Sequence, residues 1–248
     1  MNSLAIVTNP SFRLSTDRVR VAVTDNEGYT TESLVHADLL ALHSSFFRDE
    51  LAKPSSLPSP GSVRTVSLSR QSRDRFDLFL AFLYTGRVHT QHAENDKNAH
   101  EWGALARLWK LGEALSSTTF KDAIVDAMMH RNFASKTHPS PGWVLQDLLQ
   151  SFAAPSGLQR LLVDVAAAGW DQESFERDMP VESFHFVKQV AAVMSRLRND
   201  ARTITAIRAG FKREGNCKYH DHGALSPCYK ELFPMFRDIR QPKADMPK

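Results

Sequence analysis

"LVHADLLALHSSFFRDEL", residues 34–51, is the stretch where one periodicity gives way to another. Upstream of it, Val19, Val21 and Val23 alternate with Arg18, Arg20 and Thr24, the period-two pattern of a strand with one buried face. "DNEGY" then supplies turn chemistry from Asp25 to Gly28, and "YTTESLVH" continues as a second β-rich run, so residues 18–36 read as a hairpin. After His36 the period changes. Leu39, Leu40, Phe46, Phe47 and Leu51 recur at helical spacing, with Asp38 in the first turn, where a negative charge suits the helix dipole. The spacing predicts one helix stopped before Pro54.

Working outward, "KPSSLPSPGS" is a Pro/Ser linker, and Val66 and Leu68 behind it stand at strand spacing. Phe76, Phe79, Leu80 and Leu83 then fall at i, i+3, i+4 and i+7, with Ser72 as cap and Gly86 as C-terminal stop. The polar "HTQHAENDKNA" reads as a loop. Trp102, Leu105, Leu108, Trp109, Leu111 and Leu115 describe a further helix, and Phe120, Ile124, Val125 and Met128 begin another after "SSTT". Periodicity lapses over "FASKTHPSPG", residues 133–142, the best boundary in the chain. Beyond it "WVLQDLLQSF", "LQRLLVDVAAAGW" and "VESFHFVKQVAAVMSRLR" all carry helical apolar spacing.

Three segments resemble the BTB/POZ domain. In residues 34–51 a strand ends in His36, a helix carries Leu39 and Leu40, and Ser44, Phe46 and Phe47 follow as the small-Ser-x-aromatic-Phe group. "FDLFLAFLYTGRV" looks like the family's helix ending in Tyr84, Thr85 and Gly86, and "LARLWKLGEALSSTTFKDAIVDAM" like its next helical pair. The resemblance implies an α+β fold, a small β-sheet packed on helical hairpins. The resemblance covers a BTB/POZ-like domain at 17–132; the lapse in periodicity and the composition after it set off an all-α C-terminal region at 140–212 and a basic Cys/His-containing tail at 213–248. The C-terminal half is similar to the helical extension of fungal BTB proteins. Members that form strand-exchanged homodimers carry a helix before the first strand, which "TNPSF" discourages here.

Composition excludes several classes. Hydrophobic content of 42% and charged content of 24% are ordinary for a folded, soluble chain, so neither wholesale disorder nor a disulfide scaffold is expected. No apolar run approaches the length of a membrane span, and the start lacks the pattern of a signal peptide, so the expected location is intracellular, cytoplasm or nucleus. The net charge of +3 is unevenly placed: residues 195–248 carry 12 Lys and Arg against 6 Asp and Glu, leaving 19 against 22 before them. These basic residues stand singly, as on a solvated surface, so nucleic acid is the lesser expectation.

No glycine-rich phosphate loop, nucleophile elbow or carboxylate pair of fixed geometry occurs in the sequence, and no catalytic or cofactor-binding residue is assigned. His36 and His43 read as locally bonded histidines, Ser44 as tucked into packing, and Phe76, Phe79, Phe82, Trp102 and Trp109 as core. His89, His92 and His100, with Glu94 and Asp96, offer at most a weak chance metal site. The remaining cluster is Cys217, His220, His222 and Cys228, spaced C-x2-H-x-H-x5-C. Thiolate and imidazole are the donors zinc prefers, and four suffice for a closed tetrahedral, structural site. Against this stands the plain reading, in which Tyr219 and Tyr229 anchor an ordinary turn, the cysteines are buried or idle and Asp221 lies at the surface.

The expected function is a non-enzymatic protein–protein interaction module, working by self-association or by binding a partner, with no membrane and no small-molecule substrate. The resemblance implies an adaptor role for a cullin-type ubiquitin ligase as one family use. The alternative is a nucleic-acid-associated regulator using the basic tail, ordered by zinc.

Overall fold

The structure is a computed structural model that describes residues 16–54, 63–89, 99–135, 156–177, 184–199, 217–223 and 226–233, with positions 205, 207 and 209 besides. It is an α+β fold: a small three-stranded sheet with helices packed on one side and continuing beyond it. Of the expected loop at 89–99, residues 90–98 lie outside the described residues and Ala99 already opens a helix; most of the boundary at 133–142 and the helix at 143–152 also lie outside them.

Strand β1 (Arg18–Thr24) buries Val19, Val21 and Val23 and pairs antiparallel with β2 (Thr30–His36), Val19 opposite Val35. The turn between them is held by Asp25, whose carboxylate accepts the amides of Glu27 and Tyr29, both at 2.9 Å. Strand β3 (Thr65–Ser69) runs parallel to β1 on its other side, so the order is β2-β1-β3. A parallel neighbour needs a crossover. Helices α1 (Ala37–His43) and α2 (Ser45–Ala52) stand between β2 and β3 in sequence.

The single helix expected over residues 37–53 is two helices, and Ser44 is the cause. Its backbone is extended (φ −142°, ψ 121°), and its hydroxyl caps α2 by accepting the amide of Phe47 at 3.2 Å. The same hydroxyl donates to the carbonyl of Leu115 at 2.5 Å, and Ser117 returns a bond to the carbonyl of His43 at 2.5 Å. A buried pair of serines thus joins the α1–α2 corner to the corner between α4 (Ala99–Ala114) and α5 (Thr118–Ser135). Helical spacing cannot show such a break, because the apolar residues keep their phase across it.

Helix α3 (Arg73–Thr85) ends at Gly86 in the left-handed region, φ 67°, as its C-terminal stop requires. It buries Phe76, Phe79 and Phe82, and α4 buries Trp102 and Trp109, so these aromatics are core. The C-terminal region contributes α6 (Gly157–Gly169), α7 (Gln172–Arg177) and α8 (Phe184–Asn199). Ser156 caps α6 by accepting the amide of Gln159 at 3.1 Å. Leu158, Leu161, Leu162 and Val165 of α6 and Phe186, Val190 and Val193 of α8 enter the same buried apolar cluster as the sheet and α3–α5. No described helix is long and apolar enough to cross a membrane.

Candidate metal centre

The described residues of the C-terminal segment, 217–223 and 226–233, hold a tight turn closed by the amide of His220 on the carbonyl of Cys217 at 3.1 Å, and the four-residue helix α9 (Tyr229–Leu232). The segment brings its four candidate donors together. One ligand atom from each of Cys217, His220, His222 and Cys228 lies within 4.8 Å of the others, and the four form a group that could hold a metal ion. His220 and Cys228 are buried, Cys217 and His222 partly so. A span of 4.8 Å is wider than the tetrahedral edges expected around zinc, about 3.3 to 3.8 Å from its bond lengths. The Sγ of Cys228 to Nδ1 of His220 distance, 3.6 Å, already falls in that range.

The hydrogen bonds leave the right nitrogens for an ion. His220 presents Nε2 to Oδ1 of Asp126 at 3.0 Å, which makes Nε2 the donor and turns Nδ1 toward Cys228. His222 presents Nδ1 to the carbonyl of Gly223 at 3.2 Å, so Nδ1 must carry the proton there. Its Nε2 is buried and has no hydrogen-bond partner. An orphaned buried lone pair is costly unless something accepts it. A carboxylate behind one ligating histidine and a carbonyl behind the other are the usual outer supports of a metal site.

The anchors come from two helices that sequence reading did not connect to the cluster. On α5, Asp122 and Asp126 stand one turn apart. Oδ1 of Asp122 accepts the amide of Asp221 at 2.7 Å. Asp126 accepts the Tyr229 hydroxyl at 2.6 Å and pairs with Lys230 at 2.5 Å, beside its bond to His220. On α6, Asp164 accepts the Tyr219 hydroxyl at 2.7 Å and pairs with Lys218 at 2.5 Å, while Arg160 donates to the carbonyl of His220 at 2.8 Å. Asp221, expected at the surface, accepts the amide of Gly157, the first residue of α6, and pairs with Lys121 at 3.6 Å. The signal that could have found these anchors is the pair of acidic residues four apart inside the apolar run of α5.

Burial and hydrogen bonds set the charges. Burial opposes a charged His220, but the bond to Asp126 overrides it and raises the imidazole to about 10. Burial likewise opposes ionisation of Cys228, and the bond with His220 outweighs it, holding that thiol below its usual range. Cys217 moves the other way, raised by burial and by its neighbour Cys228. Asp122 is raised to about 6, mainly by burial. Without an ion the cluster is therefore an imidazolium beside a thiol of lowered pKa. Binding a metal must displace the proton on Nδ1 of His220.

Of the other histidines, Nδ1 of His36 lies 2.8 Å from the Tyr84 hydroxyl, and Nδ1 of His43 lies 3.1 Å from the Thr119 hydroxyl. His89 is exposed; His92, Glu94 and Asp96, and the side chain of His100, lie outside the described residues. No protein-family model matches the chain, and no curated protein matches it.

Proposed function

We propose that the protein is a non-enzymatic protein–protein interaction module of BTB/POZ type in which Cys217, His220, His222 and Cys228 hold one structural zinc ion. The observation that carries the first part is the sheet itself. Its β3 strand lies parallel to β1, α1 packs on β2 and α3 on β1, and the α1–α2 and α4–α5 hairpins stand in the chain order the resemblance implies. His43, Ser44 and Ser117 spend their polar atoms on the joints between those hairpins.

The donor set supports zinc. Two sulfurs and two imidazole nitrogens are a borderline-soft, four-donor arrangement, which suits zinc better than a hard cation. When bound, the ion supplies cross-linking of the tail, and a set of four protein donors keeps no position open for a reacting water. Thiolate ligands need a reducing compartment, so the reading places the protein in the cytoplasm or nucleus.

Binding is assigned to the solvent face of the hairpin, where Leu34 is 51% exposed opposite Arg20 and Tyr29 at the turn is 71% exposed. Light scattering over a concentration series, with wild type and Leu34→Glu, tests it. A mass that rises with concentration in wild type alone supports self-association. A strict monomer leaves a heterotypic partner, which affinity capture from the native cell must retain with wild type and lose with Leu34→Glu. Failure of both overturns the reading. The nucleic-acid alternative has its own test, a salt-dependent affinity for DNA or RNA. Lys218 and Lys230, the lysines of the described tail, are paired with Asp164 and Asp126.

A further inference from the structure

The tail does more than surround its own cysteines, because its last described residue fills a slot on the first part of the chain. Phe233 stacks on His43, ring centroids 4.9 Å apart at 11°, and meets Phe82 edge-on at 5.4 Å. The slot's floor is Gly86, where an added Cβ would lie 2.5 Å from Cγ of the Phe233 ring. Its walls come from α1 and α3, and its occupant stands five residues after Cys228.

We propose that the metal ion is a latch: bound, it fastens the segment from Cys217 to Phe233 across α5, α6 and this aromatic slot, and its loss lets the segment go and uncovers the slot. The inference rests on the zinc reading above. Three observations carry it.

The segment cannot order itself, since the only helix or strand among its described residues is the four-residue α9. Short pieces of helix are not stable in isolation. Its order must come from docking and from the ion.

The residues that would ligate are also those that dock, or their neighbours. His220 faces Cys228 with Nδ1 and Asp126 with Nε2, and its carbonyl accepts from Arg160. Asp221, between the two histidines, joins Asp122 of α5 to the first amide of α6. Fixing the imidazoles on an ion therefore fixes the contacts to both helices.

The remaining contacts follow Cys228 directly. Tyr229 and Lys230 reach Asp126, and Phe233 enters the slot. Once Cys228 is freed, this stretch loses its link through the ion to Cys217, His220 and His222 and keeps its own contacts to Asp126 and the slot. On the interaction module proposed above, the ion thus decides whether the face formed by His43, Phe82 and Gly86 is covered.

Hydrogen exchange of the full-length protein, read by mass spectrometry, tests the latch in three states: zinc-loaded, chelated, and chelated with zinc restored. The expected result is exchange on the order of tenfold or more faster after chelation in the segment around Cys217–Phe233, the first turn of α6 and the end of α3, reversed by zinc. The amides of β1 and β2 should not change. Stoichiometric zinc whose removal leaves the segment's exchange unaltered overturns the latch and leaves the zinc reading standing. Loss of protection in β1 and β2 as well overturns it too, making the ion a support of the whole fold. A wild-type protein that takes up no zinc overturns both. A Phe233→Ala variant separates the slot from the site: it should keep its zinc while the end of α3 loses protection, and unchanged protection there contradicts the covering role.

Discussion

Nε2 of His220 lies 3.0 Å from Oδ1 of Asp126, a contact spanning 94 positions of sequence. It fixes which nitrogen of the imidazole faces Cys228, and it ties the Cys/His segment to α5. Two further donors, Tyr229 and Lys230, converge on the other oxygen of the same carboxylate.

Replacing that carboxylate should therefore weaken metal binding without touching a ligand. Asp126→Ala is expected to lower zinc affinity by about 10- to 100-fold, the usual effect of removing an outer-shell partner. Competition against a chromophoric chelator measures it. Affinity equal to wild type would show that His220 needs no help from α5.

Gly157 opens α6 against the tail, and a Cβ there would overlap the carbonyl oxygen of Tyr219. Gly157→Ala should destabilise by about 2–3 kcal/mol, since backbone on one side and a helix start on the other leave little to give. Gly223, where an added Cβ meets nothing within 4 Å, is the control. Gly223→Ala should stay within about 0.5 kcal/mol of wild type. Denaturant unfolding of the two variants gives the comparison.

Gly86 combines a backbone demand with a steric one: its φ is 67°, and the Phe233 ring sits where a Cβ would go. Gly86→Ala should cost more in the wild-type background than in Phe233→Ala. With the ring gone only the left-handed backbone cost remains, about 1–2 kcal/mol. A double-mutant cycle on unfolding free energies should show coupling on the order of 1 kcal/mol or more. Strict additivity would mean the ring does not rest on Gly86.

His43 is buried, and burial lowers its pKa from the ordinary 6.5 to about 4. The sign follows from which state holds the proton. As pH falls below about 6.5 the unfolded chain protonates this imidazole and the native protein does not, so stability is lost progressively down to about pH 4. Between about pH 7 and pH 4.5 the wild type should lose roughly 2–3 kcal/mol more than His43→Phe. Both proteins share the Cys/His cluster, so their difference isolates His43. Parallel pH profiles in urea unfolding would refute the assignment.

The hairpin, the third strand, the stop at Gly86 and the helices either side of Ser116 were legible in the sequence, because each is written in local period or turn chemistry. The break at Ser44 was not. Its cause is a hydroxyl bonded to Leu115, 71 positions away. The site was half legible in the same way. Cys217, His220, His222 and Cys228 lie within twelve residues, and their donor chemistry speaks for itself. Asp126 and Asp164, which position the tail, come from helices whose apolar spacing gave only a core face. Asp221 looked like a surface residue because its partners, Asp122 and Gly157, are 99 and 64 positions away.

The central claim is that these four side chains bind zinc, and metal analysis of the purified full-length protein tests it most directly. Wild type should carry about one zinc per chain, and a Cys217→Ser, Cys228→Ser variant, with half its donors replaced, should carry almost none. Equal zinc content in the two proteins would contradict the account.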